Sequence, residues 1–250
     1  MTELEVSDDI GLSGAGTARV KARPLVYDVG MNNGDDAAYY LKKGYDVVGI
    51  DAHAGLCQQC TVRFAEEIAQ GRMRVINVGV GAEEGTLEFY PNDAEDPIST
   101  FHPNYWTDRS WSKPVPVAVR TLSSIIREHG EPYFVKIDVE FFDHVALIDL
   151  LRAGIVPQYI SAEAQLIDVY CALVTMGYES FKLVVGKTIP QTFRDQELRA
   201  LDGSCFRHEF SPISSGPFGD DLPGEWLDKD QMLRQLLAIG LGWVDLHARR

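Results

Sequence analysis

The chain has 250 residues, with 45% hydrophobic and 24% charged side chains, which suits one sizeable packed domain and excludes a disordered chain. Lys and Arg total 23 against 37 Asp and Glu, a net charge of −14 without a basic stripe, which argues against a nucleic-acid partner. The start, "MTELEVSDDI", lacks the basic and apolar regions of a signal peptide. The longest late apolar stretch, "LLAIGLGWV", is too short to span a bilayer, so no membrane partner and a cytoplasmic location are expected.

Residues 1–20 are acidic and then small, and read as a flexible arm. From Leu25 strand and helix patterns alternate. "LVYDV" is a buried strand, and "DDAAYYLKK" is a helix with acids in its first turn, lysines in its last and Gly44 as its stop. "DVVGID" is a strand, "GLCQQCTVRFAEEIAQG" a helix and "MRVINVGV" a strand. "TLEFY" is a short extra strand before an irregular stretch that contains "STFHPNYW". "TLSSIIREHG", "DHVALIDLLRAG" and "LIDVYCALVTMG" are helices. "YFVKIDVE" and "QYISAEA" are strands, and strands near "SFKLVV" and "CFRHEF" are expected to close the sheet. The tail is rich in Gly and Pro, followed by a helical pattern from Lys229. Such alternation predicts a mostly parallel sheet with helices on both faces, in one domain over 21–213, with 214–250 packing on it as a loop and helix.

Cys57 and Cys60 form a Cys-x-x-Cys without a second pair, since Cys171 and Cys205 lie far apart in sequence. At that spacing both sit on one helix face, and inward packing is favoured over a redox or zinc role.

In sheets of this kind ligands bind beyond the carboxyl ends of the strands, at the switch point beside the first strand. The turn there is Asp28-Val-Gly30-Met-Asn32-Asn-Gly34. It fails both the three-glycine dinucleotide pattern and the phosphate loop that ends in Gly-Lys-Ser/Thr. Asn32 stands where a middle glycine would sit, and Asn tolerates a left-handed backbone better than most residues. Asp28 at one strand tip suits an amino group. Asp51 at the next suits a ribose diol, about twenty residues past the turn. S-adenosylmethionine offers both groups. The alternatives are a nicotinamide oxidoreductase, or acids that merely cap helices.

Lys136, Asp138 and Glu140 share one face of "FVKIDVE", which is costly in a buried strand unless they are paired or used. Lys136 is expected to bridge to Asp28. Asp138 and Glu140 are the catalytic candidates, positioned to accept a proton from, or orient, an acceptor hydroxyl. Glu163 ends the next strand and is a candidate for acceptor binding. A metal held by Asp138, Glu140 and Glu163 is a weaker alternative, with none expected. His102 in the long loop and His144 are rival bases. Ser99, Thr100 and the aromatics of this loop are candidates to contact adenosine or acceptor, the alternative being a surface loop whose Tyr105, Trp106 and Trp111 pack down. Phe218 and Trp226, in "SSGPFGDDLPGEW", are expected to fold over the carboxyl-end rim as part of the acceptor pocket, the alternative being a strap packed on the far side of the sheet.

The stretches "VYDVGMNNGDD", "LKKGYDVVGIDAHA" and "FVKIDVEFFD" resemble the FkbM family of S-adenosylmethionine-dependent methyltransferases over about Leu25 to Ala164. The resemblance implies a Rossmann-like class I methyltransferase fold with a seven-stranded sheet, and O-methylation of a small-molecule acceptor such as a sugar or secondary metabolite. It implies that Asp28, Gly30, Asn32 and Gly34 form the methionine-side loop, and that Asp51 holds the ribose with Ala52 and His53 near adenosine. Two stretches depart from the family pattern: Asp51-Ala-His53-Ala replaces Glu-Ala-Asn-Pro, and in Val139-Glu140-Phe141-Phe142-Asp143 Phe141 stands where Gly is usual. They leave open a non-catalytic cofactor-binding protein of the same fold.

Overall fold

A computed structural model of the chain describes residues 23–92, 98–105, 111 and 113–250. The arm expected over 1–20 and the side chain of Trp106 lie outside the described residues. Along the chain run β1 (Leu25–Val29), α1 (Asp35–Lys43), β2 (Asp46–Asp51), α2 (Ala54–Arg63), α3 (Ala65–Ala69) and β3 (Met73–Asn77). Next come β4 (Gly79–Val80), β5 (Gly85–Phe89), β6 (Val115–Arg120), α4 (Leu122–His129), β7 (Phe134–Ile137), α5 (Asp143–Ala153) and β8 (Tyr159–Glu163). The last part holds α6 (Ile167–Thr175), β9 (Ser180–Val185), α7 (Ile189–Thr192), β10 (Leu198–Arg199), β11 (Cys205–Phe206), α8 (Lys229–Ile239) and β12 (Val244–Arg249).

Seven strands form one sheet in the order β3-β2-β1-β7-β8-β12-β9. The first five are parallel, and β12 runs antiparallel between β8 and β9. The expected α/β architecture, a mainly parallel seven-stranded sheet of the Rossmann-like type, is therefore present. Strand order reverses between β1 and β7, so the carboxyl ends of these two strands open a crevice. Alternate strand residues feed two cores. Tyr27, Val29, Val48 and Ile50 face one, while Val26, Val47 and Phe134 face the other.

Local chemistry accounts for the helix boundaries. Acids open α1, lysines close it, and left-handed Gly44 (φ 102°) ends it. Thr121 caps α4 through its side chain, and Asp228 with Gln231 forms a capping box at α8. The helix expected over residues 55–71 breaks at Phe64, giving α2 and α3.

Two expectations about the sheet are corrected. Cys205–Phe206 pairs only with β10 in a small hairpin, and the strand that completes the sheet is β12. Its residues Val244 to Arg249 alternate apolar and polar, yet the polar Asp245 and His247 are buried as well, because the strand lies inside the sheet between β8 and β9. The main sheet thus takes a strand from beyond residue 213. Strand β6, which follows the irregular stretch, pairs with β4 and β5 in a separate three-stranded sheet. No helix among the described residues is long and apolar enough to cross a membrane.

The tail is also corrected. Phe218 is buried, with its ring stacked on Phe134 at 3.8 Å and 8° and edge-on to Tyr40, Tyr133 and Tyr159. Phe134 opens β7, so this cluster lies at the amino end of the strand, away from the crevice. Trp226 packs near Tyr159, with the Lys182 and Arg249 cations over its ring. The segment is a strap across one sheet face. With Tyr45 at 5.5 Å, five aromatic rings surround Phe218, and burying its ring among them holds the segment in place.

Candidate active site

A cleft of about 830 Å³ opens at the carboxyl ends of β1, β2 and β7. Its first wall is the turn after β1. Gly30 (φ 79°), Asn32 (φ 51°) and Gly34 (φ 82°) are all left-handed, and Asn32 takes the conformation expected of it. The backbone N–H groups of Gly30 and Met31 both donate to the Ile50 carbonyl at 2.9 and 3.1 Å, clamping the turn onto β2. A Cβ at Gly30 would lie 1.8 Å from the Asp138 carbonyl oxygen, so only glycine fits between the two strand ends.

Asp51 receives the Asn32 N–H on Oδ2 and the His53 N–H on Oδ1, both at 2.8 Å. Burial raises its pKa, and these two donors work against that rise. The carboxylate is thereby oriented between the turn and the start of α2, where His53 Nδ1 caps the helix by accepting the Leu56 N–H. Gly30, Asn32, Asp51, Ala52 and His53 all line the cleft. Cys57 and Cys60 are buried beneath it and donate to the carbonyls of Asp51 and Asn32. Burial pushes both thiols up to about 12, so they are inward-packing thiols, as the helical spacing predicts.

Two residues expected in this wall are not brought to the cleft. Gly34 faces α2, where a Cβ would meet the Phe64 ring at 2.5 Å. Asp28 is fully buried beneath the floor, with Oδ1 3.4 Å from the Lys136 ammonium. Burial pushes its pKa up to about 7 even though Lys136 pulls it down. The expected Lys136–Asp28 bridge is present, but Lys136 also faces Asp138 at 3.4 Å and Asp36 at 3.7 Å, and donates to the Gly30 carbonyl at 2.9 Å. Burial disfavours this ammonium, yet the three carboxylates together hold its pKa well above the ordinary value. Asp36 is itself held by the Ser214 hydroxyl and the Ser215 N–H, tying the start of the strap to the site.

The second wall is the turn after β7. Asp138 donates its N–H to the Val29 carbonyl at 2.9 Å, and its side chain reaches the cleft. Glu140 (φ 50°) and Phe141 (φ 73°) are left-handed without being glycine, a conformation that costs about 1–2 kcal/mol per residue. Their surroundings hold them. The Thr100 hydroxyl donates to the Glu140 carbonyl, and the Phe141 ring stacks on Tyr105 at 4.4 Å and 11°.

Gln165 Nε2 donates to Glu140 Oε2 at 3.1 Å and to Glu163 Oε2 at 2.6 Å. Burial, with Asp138 and Glu140 nearby, pushes Glu163 up to about 11, which favours its protonated form, and the residue lines the cleft. Below it, Asp143 accepts the Glu163 N–H and is pushed up to about 7 by burial.

His102 does not line the cleft. Its ring stacks on Phe142 at 4.3 Å, and burial with His144 nearby lowers its pKa, so it anchors the loop. His144 is likewise absent from the lining, as is Phe218, which lies in the strap. Among the described residues, no group of three or more His, Cys, Asp or Glu side chains is arranged to hold a metal ion. Ser99, Thr100 and Phe101 of the long loop line the cleft, as do Gln165, Phe89, Ile213 and Trp243, which no motif in the sequence marks. Phe89 ends β5, and the other three come from segments far from the first turn in sequence.

A family model described as "Methyltransferase FkbM domain" matches residues 28–165, more than half of the chain. Among solved structures, the C-terminal domain of precorrin-6Y C5,15-methyltransferase from Rhodobacter capsulatus is 12% identical. That match covers 92% of this chain and 82% of that one, with a TM-score of 0.39. Precorrin-6y C5,15-methyltransferase from Geobacter metallireducens GS-15 is 10% identical over 66% and 69%, with a TM-score of 0.38. An antibiotic-related methyltransferase is 9% identical over 92% and 88%, with a TM-score of 0.39. No curated protein matches the sequence.

Proposed function

The chain belongs to the FkbM methyltransferase domain family, and from that premise we propose that it binds S-adenosylmethionine in the cleft and methylates a hydroxyl oxygen of a small-molecule acceptor in the cytoplasm. Asp51 carries this reading. Its carboxylate lies in the cleft at the tip of β2, oriented by two backbone N–H donors, where a ribose diol is recognised in sheets of this kind. Each oxygen keeps acceptor capacity for a ligand hydroxyl. The Gly30–Asn32 turn suits the amino-acid end, because it brings backbone to the cleft without side-chain bulk.

S-adenosylmethionine supplies a methyl group on a sulfonium. This chain's residues bind, orient and handle the proton. Asp138, 3.4 Å from the Lys136 ammonium, is held as an acceptor. The Glu140 carboxylate, oriented by Gln165, is the group in the cleft suited to take the hydroxyl proton, whereas protonated Glu163 offers a donor. The cleft volume falls within the range of about 300–1,000 Å³ common for ligand sites.

Titration calorimetry with S-adenosylhomocysteine and with NADH tests this reading. We expect the former to bind and Asp51→Ala to weaken it by about 1.5–3 kcal/mol, about 10- to 150-fold. Binding of NADH without S-adenosylhomocysteine would overturn the reading in favour of a nicotinamide enzyme. Unchanged affinity in Asp51→Ala would remove that residue from the site.

A further inference from the structure

Phe141 occupies a backbone conformation in which a bulky side chain is normally absent. Its φ is 73°, and the preceding residue is left-handed too. Such conformations persist where the surroundings enforce them, and they concentrate at ligand sites. Tyr105, stacked in parallel at 4.4 Å, fixes the plane of the Phe141 ring, and Phe141 lines the cleft. Glycine would meet the backbone requirement with less strain, so the ring points to a role in what the cleft accepts.

Charge narrows that role. This end of the cleft carries the Glu140 carboxylate with Asp138 beside it, while Glu163, its proton retained, adds no negative charge. Lys136 is already engaged by Asp28, Asp36 and Asp138, and Lys187 is exposed at the rim. An anionic ligand would meet the Glu140 carboxylate, while a neutral or cationic one would not be repelled.

We propose that this end of the cleft takes a phenolic acceptor whose other substituents are neutral or cationic, with Phe141 as the ring-binding residue that sets specificity. The inference rests on the methyltransferase reading above. The phenol oxygen forms the new C–O bond as the methyl–sulfur bond of the donor breaks. The bonding pair stays on sulfur, and the phenol proton passes to the Glu140 carboxylate.

The test uses the full chain saturated with S-adenosylhomocysteine and three probes: tyramine, 4-hydroxyphenylacetate, and 4-(2-aminoethyl)cyclohexanol. Tyramine is expected to bind at least about tenfold more tightly than either of the others, which lack respectively the cation and the aromatic ring. Phe141→Gly is expected to weaken tyramine about tenfold and Phe141→Tyr to restore it, with the melting temperature of Phe141→Gly within a few degrees of the native value. Absence of tyramine binding, equal binding of all three probes, or unchanged tyramine affinity in Phe141→Gly would overturn the proposal. The last result, with a lowered melting temperature, would make Phe141 an anchor for the 98–105 loop. Failure of the native chain to bind S-adenosylhomocysteine is a separate result that overturns the donor reading itself.

Discussion

The turns after β1 and β7 leave neighbouring parallel strands at the same edge of the sheet, and both line the cleft with left-handed residues. The first uses Gly30, Asn32 and Gly34, residue types that enter this conformation at little cost. The second uses Glu140 and Phe141, which do so only because Thr100, Tyr105 and Gln165 hold their backbone and side chains. One turn is shaped from within by its own residues, and the other from outside by its neighbours. Lys136 joins them, donating to Gly30 in the first while facing Asp138 in the second.

Removing the chemistry of the second turn has the largest expected effect. Glu140→Gln is expected to lower turnover about 10²–10⁴-fold while S-adenosylhomocysteine affinity stays near the native value, because the carboxylate acts on the acceptor's proton. Initial rates of S-adenosylhomocysteine release measure this, and full turnover in the variant would make Glu140 structural.

Cutting the link between the turns comes next. Lys136→Met leaves Asp28 and Asp36 buried without their cation, and about 3–5 kcal/mol of stability should be lost in urea denaturation. Adding Asp28→Asn should return part of that loss; if the double variant is no more stable, the carboxylates are not the cause.

The first turn is probed by Gly30→Ala. The left-handed backbone contributes about 1–2 kcal/mol of destabilisation and the overlap with the Asp138 carbonyl about 1–3 kcal/mol. A native melting temperature in that variant would show that the turn is not clamped as described.

The acids beside the second turn are probed by pH. Glu163 is pushed up to about 11 from an ordinary 4.5, so the folded chain holds a proton that the unfolded chain releases. Its contribution to stability is fully present below pH 4.5 and declines as pH rises toward 11. Asp28 and Asp143, each pushed up to about 7, act with the same sign from pH 3.8 upward. Glu163→Gln mimics the protonated acid and should make stability decline less steeply between pH 6 and 9. A slope equal to the native one would mean that Glu163 is ionised in the folded chain.

The sequence by itself determined the parallel sheet, the helices that flank it, the glycine turn and the acid at the tip of β2. These are local matters: buried strands are apolar runs, helix ends carry capping residues, and a left-handed turn demands Gly or Asn within a few positions. It also carried the Lys136–Asp28 bridge, because strand alternation puts both charges on one face. Only the tertiary structure decided where the tail goes. Phe218 is equally apolar over a rim or under a strap, and the choice fell to the aromatic cluster around Phe134, assembled from residues remote in sequence. The same holds for β12, which enters the sheet between β8 and β9 and buries its polar Asp245 and His247, and for Gln165, whose partners Glu140 and Glu163 meet only when β7 and β8 lie side by side. Phe141 is the sharpest case. Its backbone conformation contradicts its residue type, and it is sustained by a stacking partner 36 positions away that no local pattern discloses.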